Sequence, residues 1–160
     1  MWRLVMENSM LRRLLTEDVV RLDVEGLTTA QEVIEYSGNL LVKAGKANRE
    51  YVEGMVEAYH TLGAYIVMAP GLAMPHARPG GNVKEPCISF VTLRKGVDFG
   101  HPTNDPVRVV FALGGVSDDG HIDILRNLSS LLSADHIIEK LSAVSTYGEL
   151  VELIEKEAKE

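Results

Sequence analysis

The chain is poor in cysteine, in cations and in long apolar runs, and each shortage removes a class of function. One cysteine, Cys87, stands among 160 residues, so no intramolecular disulfide, CxxC redox pair or cysteine zinc motif exists. Its surroundings, Cys87-Ile88-Ser89-Phe90-Val91, read as a buried strand, which makes Cys87 a core residue rather than a reactive thiol. Lys and Arg number 16 against 23 Asp and Glu, a formal charge of −7 with the histidines neutral. Such an acidic balance disfavours nucleic acid and anionic membranes as primary partners, while leaving room for one small anion at a local site. No apolar run approaches the roughly 20 residues that span a bilayer. The start, from Met1 to Glu7, has neither an uninterrupted apolar stretch nor a small-residue cleavage site. The expectation is a cytoplasmic protein with no direct membrane insertion.

Chemical signatures are missing as well. The five histidines are His60, His76, His101, His121 and His136. None forms an HxxxH or HExxH pair, and Cys87 lies outside ligand spacing of each, so no sequence-local metal site is expected. There is no GxSxG elbow, no Walker-type phosphate loop and no GxGxxG fingerprint, which argues against nucleotide hydrolysis and the common acyl-transfer designs. Internal repeats and low-complexity tracts are absent too.

What is present fits one domain, since a chain of this length buries about two-thirds to 70% of its unfolded surface without metal or disulfide staples. Residues 1–10 read as an appendage, with Met10 a candidate alternative start, and residues 11–160 as the domain. Val19-Val20-Arg21-Leu22 is a short strand. Thr29 and Glu32 stand at capping-box spacing, opening a helix that Gly45 stops. Asn48 caps a second helix through Tyr51, Met55, Ala58 and Tyr59, ending near Gly63. Tyr65-Ile66-Val67-Met68 is a strand, followed by a Pro- and Gly-rich loop from Ala69 to Gly81. Strands are predicted from Cys87 to Arg94 and from Val107 to Leu113, joined by a turn built on Pro102, Asn104, Asp105 and Pro106. Helices follow over about 119–132, 134–143 and 146–156. This order predicts a single α/β domain with helices on both faces of a small sheet.

Two histidines stand out. His76 sits in the loop after Pro75, close to Gly71, Pro79, Gly80 and Gly81. Prolines reduce the entropy of fixing a loop, and glycines let backbone N–H groups approach a ligand. A neutral imidazole held there is a competent nucleophile, and Arg78 offers a fork suited to phosphoryl oxygens. Loop composition alone equally allows a loop histidine beside a turn arginine. His121 falls in the first turn of a helix, on the side marked by Leu125, Leu128 and Leu132, where a ring N–H and the helix dipole would together favour an anion. A half-buried histidine satisfied at a helix end fits the same pattern. His60, His101 and His136 read as surface residues.

The segment Ala69-Pro70-Gly71-Leu72-Ala73-Met74-Pro75-His76-Ala77-Arg78-Pro79 resembles the phosphorylation-site motif of enzyme IIA components of the bacterial sugar phosphotransferase system, in the mannitol/fructose superfamily. Its form is most similar to the ascorbate-specific (or pentitol) branch. A second segment, His121-Ile122-Asp123-Ile124-Leu125-Arg126-Asn127-Leu128, resembles the family's HxxxLxxL motif, about 45 residues further on. The likeness runs from about Leu11 to Ile154. It implies a mixed sheet of about five strands flanked by helices. It also implies a phosphotransferase with a phosphohistidine intermediate and no cofactor. His76 would accept phosphate from the phosphocarrier HPr and pass it to a cysteine of enzyme IIB, which serves the membrane component IIC. His121 would be the second active-site residue and Arg78 a phosphate clamp. The arginine and glutamate usual in the mannitol and fructose branches have no counterpart in His60 to Tyr65, and Pro70 falls where the acidic residue often sits. Either the phosphate charge is balanced differently, with Arg78 or His60 contributing, or phosphate is held more weakly. The same fold also serves regulatory modules that control a partner through their phosphorylation state, which is the alternative reading.

Overall fold

The computed structural model describes residues 9–158; the expected appendage therefore lies outside the described residues except for its last two. Ser9 caps helix α1 (Met10–Leu14) by accepting from the Arg12 N–H, and Leu11 and Leu15 are buried. A 3₁₀ turn, Glu17–Val19, leads into strand β1 (Val20–Val24). Helices α2 (Ala30–Lys43) and α3 (Arg49–Leu62) follow. Thr29 and Glu32 make the reciprocal box that their spacing predicts, which satisfies two otherwise unpaired N–H groups at the start of α2. Asn48 caps α3 through the Tyr51 N–H, and Gly63 ends it at φ 80°, a conformation that favours glycine.

Two expectations need correction here. The stretch expected as a strand from Tyr65 to Met68 begins as a 3₁₀ turn, Ala64–Ile66, and strand β2 runs Val67–Ala69. The stretch expected to be wholly loop contains strand β3 (Leu72–Ala73), which pairs with β2 on one side and with Val109 and Val110 on the other. Strands β4 (Cys87–Val97) and β5 (Val107–Gly114) complete a sheet of order β1-β4-β5-β3-β2. The β1–β4 and β3–β5 pairs are parallel and the other two antiparallel, so the sheet is mixed, as expected. Helices α4 (Asp118–Leu132), α5 (Ile137–Ser142) and α6 (Tyr147–Glu157) close the chain.

Side-chain alternation in β5 explains the layering. Val107, Val110 and Ala112 pack on the side of α2 and α3, whereas Val109, Phe111 and Leu113 pack with residues of α1, α4, α5 and α6. A strand covered on both faces reads as a continuous apolar run, which is what Val107 to Leu113 shows apart from Arg108. Helices therefore cover both faces. The buried stripe of α4 is Ile124, Leu128 and Leu131; Leu125 and Leu132, expected in it, are only partly buried at its margin. His121 remains in line with the stripe, three residues before Ile124.

Candidate active site

Strand β3 ends by delivering Met74, Pro75 and His76 to one end of the sheet, between β2 and β5, and the backbone on both sides of His76 is tied down. The Met74 N–H donates to the Ile66 carbonyl at 2.8 Å, and the Leu113 N–H donates to the Pro75 carbonyl at 2.9 Å. Beyond His76, the Gly80 N–H reaches the Gly115 carbonyl and Asn48 pairs with Asn82 through both backbone and side chain. The loop is thus stitched to β5 and to the start of α3.

The ring of His76 is oriented by its own backbone. Nδ1 lies 2.8 Å from the Met74 carbonyl oxygen; a carbonyl can only accept, so Nδ1 carries the proton and Nε2 keeps its lone pair. Tyr65 stands edge-on to the ring at 5.6 Å between centroids, and its hydroxyl donates to the His76 carbonyl at 3.4 Å.

His121 faces His76, with ring centroids 5.1 Å apart and planes at 41°. Ser117 caps α4 by accepting from the Gly120 N–H, and the His121 N–H bonds the Ser117 carbonyl, which fixes the first turn. Gly115 is what lets this turn come so close. A Cβ at that position would stand 3.0 Å from the Cβ of His121 and 3.1 Å from its Cα. Burial first, and then the neighbouring His76, push the pKa of His121 below its ordinary value, against an opposing pull from Asp118. The geometry agrees: Nδ1 of His121 is buried with no hydrogen-bond partner, so protonation there would strand an N–H donor.

Both rings open on a cleft of about 780 Å³ between the loop and α3, lined also by Glu50, Gly54, Glu57, Ala58, Tyr65 and Arg78. The cleft-facing residues of α3 include two carboxylates and no cation. Arg78 is the cation that lines the cleft; it is exposed and makes no ion pair among the described residues. His60 is not in the cleft: its Nε2 lies 2.8 Å from the Gln31 side chain on the outer helical layer.

The other expected surface histidines differ from one another. His136 is exposed and precedes α5 in the left-handed region at φ 56°. His101 is partly buried, and its Nδ1 accepts from the Thr103 and Asn104 N–H groups, so it is a turn-building residue. Cys87 is buried, as expected, and burial pushes its thiol up to about 12. Among the described residues no group of three His, Cys, Asp or Glu side chains is placed to hold a metal ion, and no helix is long and apolar enough to cross a membrane.

Sequence reasoning missed Tyr51. It is buried in α3, and its hydroxyl accepts from the Ala77 N–H at 3.2 Å while lying 2.5 Å from the Leu113 carbonyl. Its apolar spacing marked it only as core, and no local pattern reveals where a phenol oxygen ends up.

Fold and site together define an α/β domain with two facing imidazoles at the rim of one cleft. Residues 13–157 match the family model for the phosphoenolpyruvate-dependent sugar phosphotransferase system, EIIA 2. The chain belongs to that family. It is 34% identical over 138 residues to the ascorbate-specific PTS system EIIA component of Escherichia coli K12, covering 86% of this chain and 89% of the relative. Its fold superposes on the mannitol-specific cryptic phosphotransferase enzyme IIA of Escherichia coli with TM-score 0.81 and 27% identity, covering 92% of this chain and 99% of that one. The mannitol enzyme IIA of Escherichia coli, solved in complex with phosphorylated mannitol enzyme IIB, is similar at TM-score 0.77 and 25% identity, over 88% of this chain and 98% of that chain.

Proposed function

We propose that this EIIA component carries phosphate on Nε2 of His76, receiving it from HPr and passing it to a cysteine of an enzyme IIB in an uptake system for ascorbate or a pentitol. The observation that carries this reading is the hydrogen bond from His76 Nδ1 to the Met74 carbonyl. It leaves Nε2 as the nucleophilic atom of a ring that opens on the cleft beside His121. The ascorbate assignment rests on the 34% identity to the ascorbate-specific relative, and the IIB partner on the solved mannitol complex.

In the first step the Nε2 lone pair attacks phosphorus on the donor's phosphohistidine. The donor's P–N bond breaks and its electron pair returns to the donor imidazole. His76 retains the Nδ1 proton, so the new phosphoimidazole begins cationic, and the dipole of the Met74 carbonyl stabilises it. In the second step a thiolate of IIB attacks phosphorus, the P–N bond breaks, and the pair returns to Nε2. The transferring group is loosely bonded at the transition state, so the protein contributes position and charge. His121 and the start of α4 serve the phosphoryl oxygens from one side and Arg78 from the mouth of the cleft.

Incubation with phosphoenolpyruvate, enzyme I and HPr should add one acid-labile phosphate, absent in His76→Ala. His121→Ala should still bind HPr but transfer about a hundredfold more slowly, the scale of losing one charge-stabilising group. An unlabelled wild-type protein overturns the proposal, and wild-type rates in His121→Ala remove His121 from it. Onward transfer to a IIB cysteine separates a transport carrier from a regulatory module.

A further inference from the structure

The backbone before His76 is held by a direct hydrogen bond, the Leu113 N–H to the Pro75 carbonyl. The peptide directly after it, His76–Ala77, is held through two side chains: the Tyr65 hydroxyl donates to the His76 carbonyl at 3.4 Å, and Tyr51 takes the Ala77 N–H at 3.2 Å. Tyr51 reaches from the first turns of α3 with its phenol oxygen between Ala77 and Leu113. The hydroxyl has one proton, and the Leu113 carbonyl at 2.5 Å is much nearer than the Ala77 carbonyl at 3.5 Å. The proton therefore goes to Leu113, and the oxygen accepts the Ala77 N–H. One residue of β5, Leu113, thus clamps both neighbours of His76, one by its N–H and the other by its carbonyl through Tyr51.

We propose that Tyr51 is a positioning residue for phosphoryl transfer, its hydroxyl locking the peptide after His76 onto β5 so that the imidazole keeps its Nδ1 bond to Met74 and presents Nε2 to the cleft. This rests on His76 being the phosphate acceptor. Tyr51 touches neither the reacting atoms nor the donor; it acts through the loop. Burial pushes its phenol up to about 12, so the hydroxyl stays a donor to Leu113 across the physiological range. Phenylalanine at this position would fill the same space and leave the buried Leu113 carbonyl and the partly buried Ala77 N–H without their shared partner.

Tyr59 provides the internal control. It lies on the same helix, and its hydroxyl donates to the Phe99 carbonyl at 2.6 Å, outside the cleft. Tyr51→Phe and Tyr59→Phe each remove one phenol hydroxyl bonded to a main-chain carbonyl. Only the first touches the His76 loop.

The test compares the full-length wild type with both variants. In the wild type the imidazole nitrogens of His76 should show a single tautomer, protonated on Nδ1, and the Ala77 amide should be protected from hydrogen exchange. Tyr51→Phe should average the two tautomers, release Ala77 and lower kcat for phosphorylation by phospho-HPr roughly ten- to hundredfold, the scale of displacing a reacting group by a fraction of an ångström. KM for phospho-HPr should stay unchanged, and Tyr59→Phe should behave as wild type in all four readouts. An unprotected Ala77 in the wild type overturns the proposal even if the variant fails to fold. So does a Tyr51→Phe protein with wild-type tautomer and kcat, or a Tyr59→Phe protein that loses as much. If wild-type His76 takes no phosphate, the carrier reading fails by itself, while the tautomer and exchange measurements still decide the role of Tyr51.

Discussion

At the scale of single residues, His76 and His121 have the same side chain and opposite surroundings. His76 has a carbonyl that receives its Nδ1 proton, whereas His121 has a buried Nδ1 with nothing to receive one. The consequence for His121 is a pKa below the ordinary 6.5, from burial and then from the neighbouring imidazole. A depressed pKa means that the folded state binds the proton less readily than the unfolded chain does. The stability contributed by neutral His121 is therefore complete above about 6.5 and declines as the pH falls from there through the lower folded value. Titration of the His121 Cε1–H resonance should give a midpoint below 6.5 in the unphosphorylated protein. With a phosphoryl dianion on His76 the midpoint should move upward, because the imidazolium then has a counter-charge. A midpoint at or above 6.5 in the free protein would contradict the packing of this ring. His121 was legible as a candidate from its place in the first turn of a helix, since that place is a local property. The facing of the two rings was not, because it depends on Gly115 admitting the turn of α4 against the end of β5.

Elements were legible where their ends are decided locally and hidden where a distant partner makes them. Thr29 with Glu32 and Asn48 announce their helices because a cap bonds an N–H within three residues. Thr146 does the same through the Glu149 N–H, and the Glu149 carboxylate reaches back to the Ser145 N–H. By contrast, β3 is two residues inside a Pro- and Gly-rich segment and is a strand only because Leu72 and Ala73 lie between β2 on one side and Val109 and Val110 on the other. Helix α1 is five residues long, far below what stands alone; it is held by the burial of Leu11. Helix packing makes a further distinction that sequence does not, between two glycines of neighbouring helices. Gly38 of α2 faces Val52, whose two methyl carbons would lie 3.1 and 3.3 Å from an added Cβ, and Met55, whose sulfur would lie at 3.2 Å. Gly54 of α3 would meet only the Ala77 Cβ, at an ordinary 3.5 Å. The same substitution should therefore change sign. Gly54→Ala should stabilise by about 0.5–1 kcal/mol, the helix-interior advantage of alanine. Gly38→Ala should destabilise by about 1–2 kcal/mol, because Val52 is β-branched and has little rotamer freedom with which to yield. Urea denaturation of the two variants decides it, and equal signs would mean that the α2–α3 crossing is looser than these contacts require.

For the whole molecule the decisive feature is that one sheet serves two cores. Val110 and Ala112 belong to the core under α2 and α3, while Val109, Phe111 and Leu113 belong to the core under α4 to α6. The cleft depends on both halves, since His76 follows from the sheet, Tyr51 from the α2–α3 layer and His121 from the start of α4. A protein in which either layer could detach would not hold the two rings 5.1 Å apart. The strands' alternating burial makes detachment costly: removing one layer exposes half the side chains of β4 and β5 and leaves the other half packed on nothing rigid. Unfolding should accordingly be a single transition. Leu41 and Leu128 are both fully buried, one in each core, and Leu→Ala at either position should cost about 2–5 kcal/mol. Far-UV circular dichroism reports both layers. The near-UV tyrosine signal is weighted toward the α3 side by Tyr51 and Tyr59, with Tyr147 in the opposite layer. Both probes should give one coincident urea midpoint in the wild type, and each variant should shift the two midpoints together. The double variant should lose the sum of the single costs, because the two side chains belong to separate cores on opposite faces of the sheet. If Leu128→Ala moved the circular dichroism midpoint and left the tyrosine midpoint in place, the two layers would be separate folding units. The rigid geometry on which the His76–His121 pair depends would then have to come from the loop's own hydrogen bonds alone.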